Sequence, residues 1–292
     1  MDRYSVVFCG TPEFACPSLL ALHNNPQFRI TQVITQPDRP VGRKQEIMPP
    51  PVKKLAHSLG IDVLQPENIN SLISAGSSKL ATPDFLVVVA YGQILSKELL
   101  AWPKRAAVNL HASLLPLLRG ASPIQHAILH GEGETGITLQ RMSEKLDSGP
   151  ILAQKKIVIN PRETAETLSQ KLAVIGALLL QETLVQPLKE YPQDESAATY
   201  CGKLSKSMSM VDPEQMTAAE IDRRVRALSP WPGVRIVLSG KEIIVMNASI
   251  DPDPNAFPLF CAKQSTLYIA LLKSAGGTAI TGKEWMGQNH KK

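Results

Sequence analysis

The sequence predicts an α/β fold, a mostly parallel sheet with helices on its faces, followed by a small β-rich module. Through the first two-thirds of the 292 residues, apolar and often β-branched runs alternate with helix-like segments, the pattern of repeated βαβ units. The last third departs from it, with one helical pattern followed by short strand-like runs. The length exceeds the usual single domain and suits one large core plus one small one.

Taken in order, strands are expected near residues 5–9, 30–35, 61–64, 85–90 and 106–110. Pro12 opens a helix to about residue 22 and Pro51 one to residue 58, since a proline in a first helical turn gives up no hydrogen bond. From Gly136 the pattern becomes a strand at 137–142, a polar loop at 143–149 and a strand at 151–159, an antiparallel pair. Leu168, Leu172, Ile175, Leu178 and Leu179 stand at helical spacing within 164–188. The polar stretch 190–199, with Pro192, Asp194, Glu195 and Ser196, predicts a linker.

Thr217-Ala218-Ala219-Glu220 has the spacing of a capping box, and the helix it opens carries Arg223, Arg224 and Arg226 to Leu228. Ser229-Pro230-Trp231-Pro232-Gly233 stops it. Short runs at 234–238, 242–246, 259–262 and 267–272 then predict a small barrel of the OB type. The expected division is residues 1–189 as a catalytic domain, 190–207 as a linker and 208–292 as the OB-like domain.

With 43% apolar and 20% charged residues, the composition excludes a wholly disordered or collagen-like chain. The longest apolar runs, near 85–90 and 173–180, fall far short of the ~20 residues that cross a bilayer. The N-terminus lacks the pattern of a signal peptide; a cytoplasmic protein without a membrane partner is expected. Cys9, Cys16, Cys201 and Cys261 are too scattered for a metal finger or a disulfide scaffold, so reduced thiols are expected. Of the net charge of +5, residues 201–292 hold an excess of four, twelve Lys and Arg against eight Asp and Glu. That suits a polyanionic partner and a solvated surface alike.

The chemistry concentrates at Asn109-Leu110-His111-Ala112-Ser113-Leu114-Leu115-Pro116, where a buried parallel strand reaches its C-terminal end, the edge at which open α/β sheets place their sites. Strand alternation puts Asn109 and His111 on one face, an amide donor beside an imidazole. Alone, such a pair reads as a turn cap and a core histidine, and Asp147, in Leu146-Asp147-Ser148-Gly149, as a turn residue. Gly10-Thr11-Pro12 follows the first strand but lacks G-x-G-x-x-G, which disfavours a nicotinamide cofactor.

Together these segments are recognisable. N-L-H-A-S-L-L-P, L-R-G-A-S-P-I-Q-H-A-I, E-T-G-I-T-L and L-D-S-G-P-I-L, in that order and with matching gaps, resemble the folate-dependent formyltransferase superfamily. The stretches 8–15, 35–40, 90–95 and 226–233 extend the similarity over nearly the whole chain, to the methionyl-tRNA formyltransferase family. The resemblance implies a Rossmann-like catalytic domain that moves a formyl group from 10-formyltetrahydrofolate, a cosubstrate, to the amino group of methionine on initiator tRNA. It implies Asn109, His111 and Asp147 as the catalytic set. Attack of an amine on the formyl carbon needs donors for the growing oxyanion and an acceptor for the amine proton. Asn109 and His111 would donate, His111 would help move a proton to the folate nitrogen, and Asp147 would orient or charge-stabilise the imidazole. Which group takes the amine proton is left open. The scheme calls for no metal.

The resemblance also implies folate contacts at Tyr91, Gly92, Gln93 and Ile94 and at Ser113, Leu114, Leu115 and Pro116. Residues 38–51 are too long for an ordinary strand-to-helix connection. They match the family's inserted loop that reaches the tRNA acceptor end, with Arg39, Arg43 and Lys44 as phosphate partners. Departures occur at Leu117-Leu118, where the family has an aromatic or basic pair, at Val211-Asp212-Pro213, which lacks its Trp, and at Gly276-Gly277-Thr278, which lacks paired lysines. Formyltransferases acting on sugar nucleotides or glycinamide ribonucleotide, a formyltetrahydrofolate hydrolase, and a catalytically silent RNA-binding module are the alternatives. The second domain and the basic loop favour an RNA acceptor, and a monomer is expected.

Overall fold

The computed structural model describes residues 3–42, 45–74, 80–238, 240–274 and 276–289. The chain opens with β1 (Tyr4–Gly10), a 3-10 turn (Glu13–Ala15), α1 (Cys16–Asn24) and β2 (Phe28–Ile34). An antiparallel pair, β3 (Arg39–Val41) and β4 (Glu46–Met48), leads to α2 (Pro51–Ser58) and β5 (Val63–Leu64). Next come α3 (Ser71–Ser74), β6 (Phe85–Val89), α4 (Lys97–Leu100), β7 (Ala106–His111), β8 (Arg119–Gly120) and α5 (Pro123–His130). Then follow β9 (Glu134–Arg141), β10 (Ile151–Val158) and α6 (Ala165–Leu184).

A seven-stranded sheet runs in the order β10-β9-β7-β6-β1-β2-β5. β1 pairs in parallel with β2 and β6, β2 with β5 and β6 with β7, while β7 and β9 are antiparallel. The α/β class with a mostly parallel sheet is therefore as the sequence predicts. β6 is buried along its whole length, as a strand covered on both faces must be. From β1 the chain builds outward to β2 and β5, then crosses back to β6 and β7. The strand ends Gly10, Val89 and His111 therefore gather at a topological switch point, where such sheets bind ligands.

Helix α6 passes very close to this sheet: a Cβ on Gly176 would lie 2.6 Å from Leu110 Cδ2 and 3.1 Å from Ile137 Cγ1. The helix ends at Leu184 rather than near 188, because Pro187 biases Gln186 away from helical backbone. The β3–β4 pair, α3 and α4 went unread in the sequence, being three or four residues each, too short to show a period.

The remaining elements are β11 (Tyr200–Cys201), α7 (Ala218–Leu228), β12 (Val234–Leu238), β13 (Lys241–Ser249), β14 (Phe257–Cys261), β15 (Ser265–Ser274), β16 (Ile280–Thr281) and α8 (Gly282–Asn289). Both halves of the capping box on α7 are made, Thr217 to Glu220 and back. The sheet runs β12-β13-β15-β14, with β16 also on β15, and its strand pairs are antiparallel. Among the described residues no pairing closes it, so the OB-like barrel is seen as an antiparallel sheet. By contacts, residues 1–120, 135–157 and 169–200 form one compact unit, and 121–134, 158–168 and 201–292 another.

The arginines of α7 are held within that second unit. Arg226 Nε donates to Asp222 Oδ2 (2.8 Å), Arg223 Nε to the Leu129 carbonyl (3.3 Å) and Arg224 Nη1 to the Met208 carbonyl (3.3 Å). The basic helix that suggested an RNA surface thus spends guanidinium donors on its own fold. None of the four cysteines is joined in a disulfide, and Cys9, Cys201 and Cys261 are buried; burial pushes the Cys16 thiol, with help from Glu13, up to about 11.

Candidate active site

β7 delivers Asn109 and His111 to the sheet's C-terminal edge, and the antiparallel β9 lays Gln140 opposite Asn109 and Thr138 opposite His111. The loop after β9 returns Asp147 to the same place. Asp147 takes a left-handed backbone conformation, φ 51°, and Gly149 behind it has no room for a side chain: a Cβ there would fall 1.9 Å from the Arg141 carbonyl oxygen.

Three donors converge on the Asp147 carboxylate. Gln140 Nε2 donates to Oδ1 (3.0 Å), the Gly120 backbone N–H to Oδ2 (2.9 Å), and Asn109 Nδ2 reaches Oδ1 at 3.4 Å. His111 Nδ1 lies 3.6 Å from Oδ2, with both side chains buried to within a few per cent; that is ion-pair range, slightly beyond a hydrogen bond. His111 Nε2 sits 2.9 Å from the Leu118 carbonyl oxygen. A carbonyl only accepts, so the bond assigns the proton to Nε2 and leaves Nδ1 facing the carboxylate.

An open cleft of about 100 Å³ lies over this group, with Asn109, Gln140 and Asp147 and with Gln93, Ile94 and Leu146 among the residues lining it. Ile94 and Leu146 are exposed apolar side chains, 80% and 65% accessible. Such a cleft, apolar at the lips and carrying convergent donors and acceptors within, suits a planar heterocycle with a polar rim.

Of the residues named from sequence, Asn109, Asp147, Gln93 and Ile94 line the cleft. His111 lies behind them, 6% exposed. The Tyr91 ring belongs to the core with Cys9, Leu86 and Leu99, its hydroxyl buried without a hydrogen-bond partner among the described residues. Its carbonyl accepts from Thr11 Oγ1 and Gln36 Nε2, and Gly92 follows at φ 93°. The segment Ser113, Leu114, Leu115 and Pro116 is tied into the fold. Thr138 Oγ1 donates to the Ser113 carbonyl (2.7 Å) and accepts from Leu115 N (3.1 Å), and Gln154 Nε2 donates to the Leu115 carbonyl (2.8 Å). Arg39 is solvent-exposed on β3 and pairs with Glu67 at 3.3 Å; Arg43 and Lys44 lie outside the described residues. Among the described residues, no group of three or more His, Cys, Asp or Glu is gathered as a metal site, and no helix is long and apolar enough to cross a membrane.

Sequence reasoning missed Gln140 and Gly120. Gln140 had one visible signal, an amide two residues after Thr138 on the same face of β9, and it is 2% exposed; Gly120 acts through its backbone, which residue type does not announce.

Residues 3–184 match the family model for "Formyl transferase", and residues 203–290 match "Formyl transferase, C-terminal domain". The chain is 41% identical over 297 aligned positions to the methionyl-tRNA formyltransferase of Halorhodospira halophila, covering 96% of this chain and 95% of that one. It is 45% identical to that of Caldicellulosiruptor saccharolyticus, covering 81% and 76%. Among solved structures, an N-formyltransferase from Helicobacter canadensis, in complex with folinic acid and dTDP-3-aminofucose, superposes with a TM-score of 0.67 at 18% identity, over 92% of this chain and 99% of that one. HypX from Aquifex aeolicus in complex with tetrahydrofolic acid gives a TM-score of 0.61 at 15% identity, over 99% and 47%. At these identities the structures speak for the fold.

Proposed function

The chain belongs to the formyl transferase family and, within it, to the methionyl-tRNA formyltransferases; from that premise we propose that Asn109, His111 and Asp147 carry out its reaction. The reaction is transfer of a formyl group from 10-formyltetrahydrofolate to the amino group of methionine on initiator tRNA. The observation that carries the site assignment is the meeting of Asn109, Gln140, Gly120 and His111 at one buried carboxylate, that of a residue lining the cleft.

As the methionyl amine attacks the formyl carbon, negative charge grows on the formyl oxygen, and Asn109 Nδ2, held only loosely by Asp147, turns to donate to it. With Nε2–H given to Leu118, the Nδ1 lone pair of His111 is the acceptor nearest the carboxylate. The Asp147–His111 pair takes up the amine proton, with Asp147 offsetting the positive charge the ring acquires, and the proton passes on to the leaving folate nitrogen. Asp147 itself is fixed by Gln140 and Gly120, so the charge is in place before the reaction begins.

The pteridine is assigned to the cleft, between Ile94 and Leu146 and beside Gln93; Tyr91, Gly92 and residues 113–116, which are not among the residues lining it, are kept as folate contacts on the family resemblance. The insertion between β2 and α2, with Arg39, Arg43 and Lys44, and the C-terminal domain at 208–292 after a linker at 190–207, are assigned to the tRNA. A cytoplasmic monomer is the form in which we expect it to act.

Purified protein incubated with 10-formyltetrahydrofolate and, separately, methionyl-tRNA, glycinamide ribonucleotide or an amino-sugar nucleotide tests the reading. Formylation of methionyl-tRNA that is lost in His111→Ala is the expected result. Full activity of His111→Ala would remove the histidine from the mechanism, and formylation of a different acceptor would remove the tRNA assignments.

A further inference from the structure

The segment after α6 looks like a linker in sequence, yet its residue Gln193 is bonded to both sides of the site. Gln193 Nε2 donates to the main-chain carbonyls of Asp147 (2.9 Å) and Gly149 (2.7 Å). Gln193 Oε1 accepts from Arg119 Nε (3.1 Å) and Nη2 (2.8 Å). Both protons and both lone pairs of one carboxamide are therefore in use.

Arg119 is fully buried, and its fork is completed by Glu195, with Nη2 to Oε1 at 2.7 Å and Nη1 to Oε2 at 3.0 Å. A buried guanidinium persists only when its donors are satisfied, so Gln193 and Glu195 together fix where Arg119 lies. The next residue is Gly120, whose N–H holds Asp147 Oδ2. Gln193 thus grips the Asp147 loop by its main chain and, through Arg119, the strand that presents the N–H to the Asp147 carboxylate. Asp147 has a left-handed backbone, uncommon outside glycine although Asp tolerates it better than most residues, and the Gln193 donation helps hold it there.

We propose that Gln193 is a positioning residue for formyl transfer, a single side chain that locks the Asp147 loop against the Arg119–Gly120 strand so that the carboxylate stands in register with Asn109 and His111. This rests on the reading of Asp147 as a catalytic residue. A loop freed by an ångström or so loses rate far more than it loses binding.

The test compares Gln193→Ala, Gln193→Glu, Asp147→Asn and the double variant Gln193→Ala/Asp147→Asn by steady-state kinetics and thermal denaturation of the full chain. Gln193→Glu keeps an acceptor for Arg119 but has no proton for the carbonyls of Asp147 and Gly149, so it separates positioning from mere support of the buried arginine. Expected are a fall in kcat of about tenfold or more in both single Gln193 variants and KM for both substrates within about twofold; the melting temperature falls in Gln193→Ala, which leaves donors of the buried Arg119 unmet, and less in Gln193→Glu, which keeps their acceptor. Adding Gln193→Ala to Asp147→Asn should cost nothing further, since the two act as one unit. Wild-type kcat in Gln193→Glu, or full multiplication of the two losses in the double variant, would overturn the proposal while leaving Asp147 catalytic. Wild-type activity of Asp147→Asn would overturn the catalytic reading and the proposal with it.

Discussion

Gln140 Nε2 lies 3.0 Å from Asp147 Oδ1, donated from the strand position directly opposite Asn109. The same carboxylate oxygen is 3.4 Å from Asn109 Nδ2, so Gln140 is the firmer of its two side-chain donors, and it frees Asn109 to turn toward a substrate. Gln140→Met, close in volume but unable to donate, is expected to lower kcat by about 10- to 100-fold, the loss of one charge-assisted hydrogen bond worth about 1.5–3 kcal/mol. Unaltered kcat in that variant would mean that Gly120 and Asn109 suffice to hold the carboxylate.

Gly149 is required for space rather than for a special backbone angle. Its missing Cβ would overlap the Arg141 carbonyl oxygen at 1.9 Å, and backbone atoms cannot step aside as a flexible side chain does. Gly149→Ala should destabilise the protein by about 2–4 kcal/mol and displace Asp147, two residues away. Urea denaturation and activity at low temperature check both; a stable variant that has lost activity would place the effect in the loop alone.

The Arg119–Glu195 pair makes a pH prediction. Hydrogen bonding to Arg119, then to Lys145, holds the Glu195 carboxyl down at about 2, from an ordinary 4.5. The folded state keeps Glu195 ionised where the unfolded chain has already taken up a proton. The stabilisation is complete above about pH 4.5 and is lost as the pH falls toward about 2. Unfolding free energies of the wild type and Glu195→Gln, measured across this range, should differ by a constant amount down to about pH 5 and converge below it. A gap that widened on acidification would contradict the pairing.

Asp222 bridges Arg162 and Arg226, 2.7 and 2.8 Å away, with its own side chain 6% exposed. Removing one partner of a fully buried ion pair costs about 3–5 kcal/mol. Arg162 is 45% exposed and can recover hydration, so Asp222→Ala should cost less, about 2–3 kcal/mol. Calorimetry would register it as a lowered melting temperature; an unshifted one would show that Arg226 finds another acceptor beyond the Glu163 carbonyl it already holds at 2.9 Å.

The clearest sequence signals were local ones. α2 was readable at its full extent, Pro51–Ser58, because a first-turn proline and one amphipathic face suffice to place it. The capping box at Thr217 and Glu220 was readable because its bonds span three residues. α5, over Pro123–His130, stands in a motif that was recognised without being seen as a helix, since eight residues show barely two turns of periodicity.

By itself the sequence determined the fold class, through alternating strand and helix periods, and the reaction, through ordered motifs that keep Asn109, His111 and Asp147 in one chain. Only the tertiary structure decided what surrounds them. Gln140 meets Asn109 through antiparallel register, Gly120 reaches Asp147 across 27 residues, and Gln193 reaches it across 46. A side-chain period reports which face of a strand or helix a residue occupies and nothing of what a distant segment brings to it. A polar segment held down by one buried arginine has the same composition as one that is free, and hydrogen bonds between distant residues exist only once the chain has closed on itself.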